Sequence, residues 1–361
     1  VVTASGTAAI HYTALTLARA GDEFVAARNL YGGTYTMFTV LLRDQGINVR
    51  LVDALDPENV RKAITPKTRF VFVEAIGNPS LDVVDIASVA KVAHAARIPL
   101  VVDSTFTPPV NYRPIEDGAD IVIHSLSKWI GGHGAGIGGA VIDSGKFDWK
   151  GSNVPLMTEP DPAYHGLRWA HDLPDPLAPI AFALRFRTGP LRNLGACLSP
   201  DNSWIFLQGA ESLPVRMERH NANALRVAEW LKAHEKVAWV RYPGLGDDPA
   251  HAVAERLFGG RASGGGTGYG GMVVFGIKGD GKGSGRDKGR LFIDSLALFS
   301  NLANVGDAKS LAIHPASTTH SQLSDREQIE AGLPPDLVRL SIGIEHVDDI
   351  IADLERALAK V

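Results

Sequence analysis

From Gly6 to Val141 the apolar and polar positions fall into two alternating rhythms: longer stretches with helical spacing, and short runs rich in β-branched residues. Read in order, they predict a helix over 6–19, a strand at Phe24-Val25-Ala26-Ala27, a helix over 33–45 and a strand from Asn48 to Val52. A helix over 57–64, a strand from Arg69 to Ile76, a helix from Asp85 to Arg97 and a strand from Leu100 to Asp103 follow. The apolar run Ala119 to Ile123 and the strand-like Ala140-Val141-Ile142 continue the series. Such alternation builds an α/β fold, a mainly parallel sheet with helices on both faces, in which ligands gather outside the carboxyl ends of the strands. Asp103 and residues 125–128 fall at such ends.

Beyond the sheet, residues 155–179 hold six prolines, which predicts an extended, ordered loop. A long helix is expected over about 203–233, with apolar positions at Leu207, Leu213, Val215, Leu225, Val227 and Leu231 among charged residues. The last third reads as a smaller α+β C-terminal domain, with strands at Met272 to Ile277 and Leu337 to Ile342 and helices over 286–299 and 347–359. Residues 1–222 then form the large domain and 223–361 the small one. Fourteen glycines between 259 and 289 predict mobile surface loops around the strand there.

Composition narrows the class. With 361 residues, 21% of them charged, and a formal net charge of −4, the chain reads as a soluble two-domain enzyme, with no electrostatic case for nucleic acid or an anionic membrane. Cys197 is the one cysteine, so no intrachain disulfide can form, and a cytoplasmic setting is the default expectation. No apolar run approaches the length of a membrane span. The chain opens at Val1 directly onto a helix-forming stretch, so we expect an amino-terminal part to precede it.

The candidate chemistry centres on Lys128, in His124-Ser125-Leu126-Ser127-Lys128 just past one apolar run, and on Asp103 at the end of another. Pyridoxal phosphate needs two such side chains: an amine to capture its aldehyde and a carboxylate to keep its ring nitrogen protonated. A solvated lysine in a polar loop is the bland alternative. For Asp103 a bland account must still supply a buried partner for the charge. Ser5-Gly6-Thr7 opens a helix and can offer N–H groups to a phosphate, although a serine there is ordinarily just an N-cap. Ser125 and Ser127 could donate to the same anion. Tyr31, flanked by Gly32 and Gly33, could pack on a flat ligand or in a core, and Arg339, on an apolar strand, could grip a carboxylate. Two motif matches fail. Gly134-Ala135-Gly136-Ile137-Gly138-Gly139 precedes a strand instead of opening a helix, and Ser125-x-x-Lys128 lacks the partner motifs of a serine acyl-enzyme. His124, His133, His314 and His320 lack metal-like spacing, so no metal is expected.

Taken together, Ser5 to Ala9, Asn29 to Tyr35, Glu74 with Asn78-Pro79, Val102 to Phe106, Ser125 to Lys128, Gly131 to Gly134 and His314 to Ser317 resemble the transsulfuration, or Cys/Met metabolism, family of fold-type I pyridoxal-phosphate enzymes. The resemblance implies that Lys128 holds the cofactor and shuttles protons and that Asp103 pairs with the ring nitrogen. It also implies that Tyr31 stacks on the ring and Asn78 bonds the phenolic oxygen. Gly6, Thr7, Ser125 and Ser127 would cradle the phosphate, Arg339 would bind the substrate carboxylate, and Asn304 would lie close to it. Gly145 to Trp149, the insert Thr158 to Gly166, Leu198-Ser199-Pro200 and Leu302 to Leu311 are similar to the members that act on O-acetylhomoserine. That likeness implies γ-replacement by sulfide or methanethiol. Cystathionine synthesis, an O-succinylhomoserine substrate or γ-elimination from methionine would keep the same cofactor residues. Ser104 and Ser127 stand where many members have Asn and Thr. Members also carry an upstream segment whose Tyr and Arg reach a neighbouring subunit's phosphate, which implies a homotetramer of dimers with shared sites and poor cofactor binding without that segment.

Overall fold

The computed structural model describes residues 1–259, 268–279, 285–318 and 333–361. A seven-stranded sheet is built from β1 (Val2–Thr3), β2 (Glu23–Ala27), β3 (Asn48–Val52), β4 (Thr68–Glu74), β5 (Leu100–Asp103), β6 (Ile121–Ser125) and β7 (Gly139–Asp143) in the order β1-β7-β6-β5-β4-β2-β3. The five strands β2 to β6 run parallel to one another, while β7 is antiparallel to β6 and β1 to β7. Every residue of β2 and β4 is buried, as expected where helices cover both faces of a parallel sheet. Phe24 stacks on Phe70 with ring centroids 4.5 Å apart, and Phe38 meets Phe72 edge-on at 5.0 Å, locking helix to sheet.

The helices start where capping chemistry allows. Ser5 accepts the Ala8 N–H at 3.0 Å and opens Gly6–Leu17, and Asp85 does the same for Ile86–Ala95 through Ser88 N–H. The helix expected over 33–45 is one continuous helical run over 32–44, with a π-helical stretch at Met37–Leu41. The proline-rich stretch departs from expectation. It is not wholly extended but carries Pro155–Thr158 and the 3₁₀ turns Pro162–Tyr164 and Ala178–Ile180, because a proline in the first turn gives up an N–H that no helix would use.

A second sheet is formed by β8 (Val237–Arg241), β9 (Met272–Ile277), β10 (Ser300–Asn301), β11 (Leu311–Ile313) and β12 (Leu337–Ser341), in the order β10-β11-β12-β9-β8. It is antiparallel apart from the β10–β11 pair. The 34-residue helix Pro200–Ala233 leads into it, and the expected domain boundary at 222/223 falls inside that helix. The helix expected over 286–299 is Gly285–Ser295. It stops early because the N–H groups of Ala297, Leu298 and Phe299 turn to the buried Asp353 carboxylate instead of continuing the helical ladder. Of the expected glycine-rich loops, residues 260–267 and 280–284 lie outside the described residues, as does His320.

Candidate active site

A cavity of about 390 Å³ opens past the carboxyl ends of β4, β5 and β6, and every site residue expected from the sequence lines it. Most of its lining comes from the large sheet and its helices; Arg339 on β12 and the segment carrying Asn304 add to it from the second sheet's side.

Lys128 sits in a tight turn after β6. The Gly131 N–H bonds Leu126 O at 2.8 Å and the Gly132 N–H bonds Lys128 O at 2.7 Å, which fixes the backbone under the side chain. Its ammonium donates to Asn304 Oδ1 at 2.5 Å, across 176 residues of sequence. Burial, followed by the positive charge of Arg339, pulls the Lys128 amine below its ordinary basicity, which favours the neutral form a nucleophile or base needs.

Asp103 lies beside Glu74, its register partner on β4, and both face the cavity. The Asp103 carboxylate accepts the Thr105 N–H at 2.9 Å, and among the described residues no cation pairs with it. Burial pushes its pKa up to about 6. Glu74 is driven well above the usual carboxylate range, first by burial and then by the Asp103 charge. Two buried acids without a counterion favour a single proton held on Glu74. A protonated ring nitrogen would supply the cation that Asp103 lacks.

At the other end of the cavity, Gly6 and Thr7 begin a helix, where first-turn N–H groups have no intrahelical acceptor. The helix end approaches β6 so closely that a Cβ on Gly6 would lie 2.8 Å from Ser125 Cβ. The Ser127 hydroxyl accepts the Gly138 N–H at 3.0 Å and donates a long bond to the Gly138 carbonyl at 3.5 Å, weak enough for an anion to compete for that proton. An amine, an acid and an anion-binding helix end around one cavity fit pyridoxal 5'-phosphate.

Tyr31 leads into the helical run 32–44 with its side chain 53% exposed, its ring lying over Gly33, where a Cβ would come within 2.7 Å. Its N–H donates to Glu74 Oε1 at 2.7 Å. Arg339 donates to Asn78 Oδ1 at 3.1 Å and has no carboxylate partner among the described residues, and burial lowers it to about 10. A buried guanidinium with a single amide partner is placed to receive an anion. Sequence reasoning did not find the Asn304–Lys128 and Asn78–Arg339 contacts, nor the role of Thr105, whose hydroxyl accepts the Ser125 N–H at 2.9 Å and so joins β5 to β6 at the site. Their signal was adjacency to recognised motifs, not any pattern of their own. His314 is structural, bonded to Ser317 Oγ and Pro335 O. The glycines at 131 and 138 serve close packing, since a Cβ at either would strike Phe206 of Pro200–Ala233.

A parallel sheet with this lysine, acid and helix end at its carboxyl edge defines a fold-type I pyridoxal-phosphate enzyme. The family model described as Cys/Met metabolism PLP-dependent enzyme matches residues 1–359, and the chain belongs to that family. It is 50% identical to an O-acetyl-L-homoserine sulfhydrylase of Leptospira meyeri over 365 aligned residues, covering all of this chain and 80% of that protein. It is 46% identical to a homocysteine synthase of Schizosaccharomyces pombe, covering 99% of this chain and 80% of the relative. A Campylobacter jejuni crystal structure, provisionally described as an O-acetylhomoserine (thiol)-lyase carrying N'-pyridoxyl-lysine-5'-monophosphate, superposes with a TM-score of 0.90 at 37% identity, covering 99% of this chain and 82% of that one.

Proposed function

We propose that this chain catalyses γ-replacement on O-acetyl-L-homoserine: sulfide displaces acetate to give homocysteine, and methanethiol in its place gives methionine. The observation that carries the reading is the placement of Lys128, Asp103 and Arg339 around one cavity in a chain half identical to an O-acetyl-L-homoserine sulfhydrylase. When bound, pyridoxal 5'-phosphate supplies an aldehyde that captures amines and a ring that accepts the electron pair left at Cα.

The chain's own residues do the rest. Arg339 grips the substrate carboxylate, held in direction by Asn78. Lys128, its basicity lowered by burial, would hold the cofactor through its amine and would move the proton at the substrate Cα. Asn304 holds the Lys128 nitrogen in place through its Oδ1. Asp103 would keep the ring nitrogen protonated, Tyr31 would pack on the ring, and Gly6, Thr7, Ser125 and Ser127 would hold the phosphate. After a Cβ proton leaves, the Cγ–O bond breaks with departure of acetate, a sulfur–Cγ bond forms, and the protons return to Cβ and Cα. A narrow entry suffices for so small a nucleophile.

Location in the cytoplasm fits a biosynthetic role, and among the described residues no helix is long and apolar enough to cross a membrane. A homotetramer with shared sites is supported by the exposed apolar face of Pro200–Ala233, with Trp204, Leu207 and Val215 each about two-thirds exposed. Product analysis tests the reaction. Acetate release with O-acetylhomoserine should yield homocysteine when sulfide is present, whereas equal 2-oxobutyrate with and without sulfide would mean elimination.

A further inference from the structure

Glu74 is a buried acid to which the chemistry above gives no task. It ends β4, lines the cavity next to Asp103, and is 7% exposed. Its carboxyl accepts the Tyr31 N–H at 2.7 Å, and the Asn78 backbone N–H lies near enough to favour its charged form. Both contacts are made to the main chain of residues that line the cavity. Tyr31 stands at the start of the helical run 32–44 with no side-chain cap bond, and its ring is more than half exposed, so core packing does not set it. Asn78 sits on the connection after β4 and directs Arg339 through its side-chain oxygen. One carboxyl therefore joins the ring-stacking residue, the residue assigned to the ring edge and, through it, the carboxylate-binding arginine.

We propose that Glu74 is a positioning residue, whose carboxyl oxygens hold the Tyr31 and Asn78 backbones and so aim both side chains at the cofactor ring. The proposal rests on the cofactor reading above. It explains why an acid costly to bury is placed beside a second acid: it serves as an acceptor, a task a protonated carboxyl or an amide performs equally well.

The test uses holoenzyme of the wild type, Glu74→Gln, Glu74→Leu, Tyr31→Ala and the Glu74→Leu/Tyr31→Ala double variant. The readouts are visible circular dichroism of the bound cofactor, the rate of cofactor release, and kcat and KM separately. A wild-type protein without a visible cofactor band would sink the cofactor reading itself, which separates that failure from this one. Glu74→Leu is expected to lower the dichroic band and speed cofactor release about tenfold, while keeping the far-ultraviolet spectrum. Glu74→Gln, which retains an acceptor oxygen, should stay within about twofold of wild type. The double variant should lose less of the dichroic band than the sum of the two single losses, since the part of the Glu74 effect that acts through Tyr31 is already gone in Tyr31→Ala. Additive losses, a glutamine variant as impaired as the leucine variant, or a leucine variant equal to wild type would each overturn the proposal. If the leucine variant does not fold, Glu74→Asp, which draws the carboxyl back by one methylene, takes its place with the same expected outcomes.

Discussion

At the scale of single residues, burial sets the charge of the groups around the cavity. Asp103 is pushed up to about 6 by burial, while an unfolded aspartate titrates near 3.8. A folded pKa raised above the unfolded one means that the folded state binds the extra proton. The associated stability is therefore present below about 4 and lost as pH rises through about 6. Without cofactor, Asp103→Asn should abolish this component, worth on the order of 2–3 kcal/mol, so that its Tm exceeds that of the wild type above pH 6 and not below pH 4. Thermal denaturation of both apoproteins across that window measures it. Lys128→Ala should cut kcat by about a thousandfold or more, because the amine that holds the cofactor and moves the Cα proton is lost. Steady-state kinetics with exogenous cofactor checks that. Arg339→Lys keeps the charge but not the two-pronged grip, and should raise KM for O-acetylhomoserine by about tenfold with a smaller change in kcat.

At the scale of elements, the site depends on close approach between a loop and a helix. A Cβ at Gly138 would sit 2.4 Å from a Phe206 ring carbon, and the Gly138 N–H is bonded to Ser127. Gly138→Ala should therefore cost about 1–3 kcal/mol in urea unfolding and weaken cofactor binding as Ser127 shifts. The parallel half was readable along the chain because its strands are short runs rich in β-branched residues and helices separate β2 from β3, β3 from β4 and β4 from β5; Asn48–Val52 and Leu100–Asp103 fall where the pattern put them. The second sheet was half hidden. β10 and β11 have two and three residues, too short for any period to register, and β8 mixes buried and exposed positions without strict alternation. The run over 181–194 and the helix His251–Phe258 were also missed. In the site, Lys128 and Asp103 announced themselves as charges at strand ends. The partners of Lys128 and Arg339 lie 176 and 261 residues away, and nothing local encodes such contacts.

At the scale of the whole molecule, two sheets meet around one cavity, and polar ties cross between them. Arg241 on β8 bridges Asp82 at 3.1 Å and Asp248 at 3.0 Å, and Arg256 pairs with Asp85 at 3.0 Å, fastening the connection that carries Asn78. A ligand seated between the halves should stabilise both. Cofactor at a hundredfold its Kd should add about 2.7 kcal/mol, so its removal should lower Tm in a concentration-dependent way in calorimetry. One covalent bond to the cofactor underlies this chemistry, and borohydride reduction of the cofactor-loaded protein followed by peptide mapping reads it directly. One pyridoxyl group is expected, on Lys128. A pyridoxyl group on another lysine, or none at all, would contradict it.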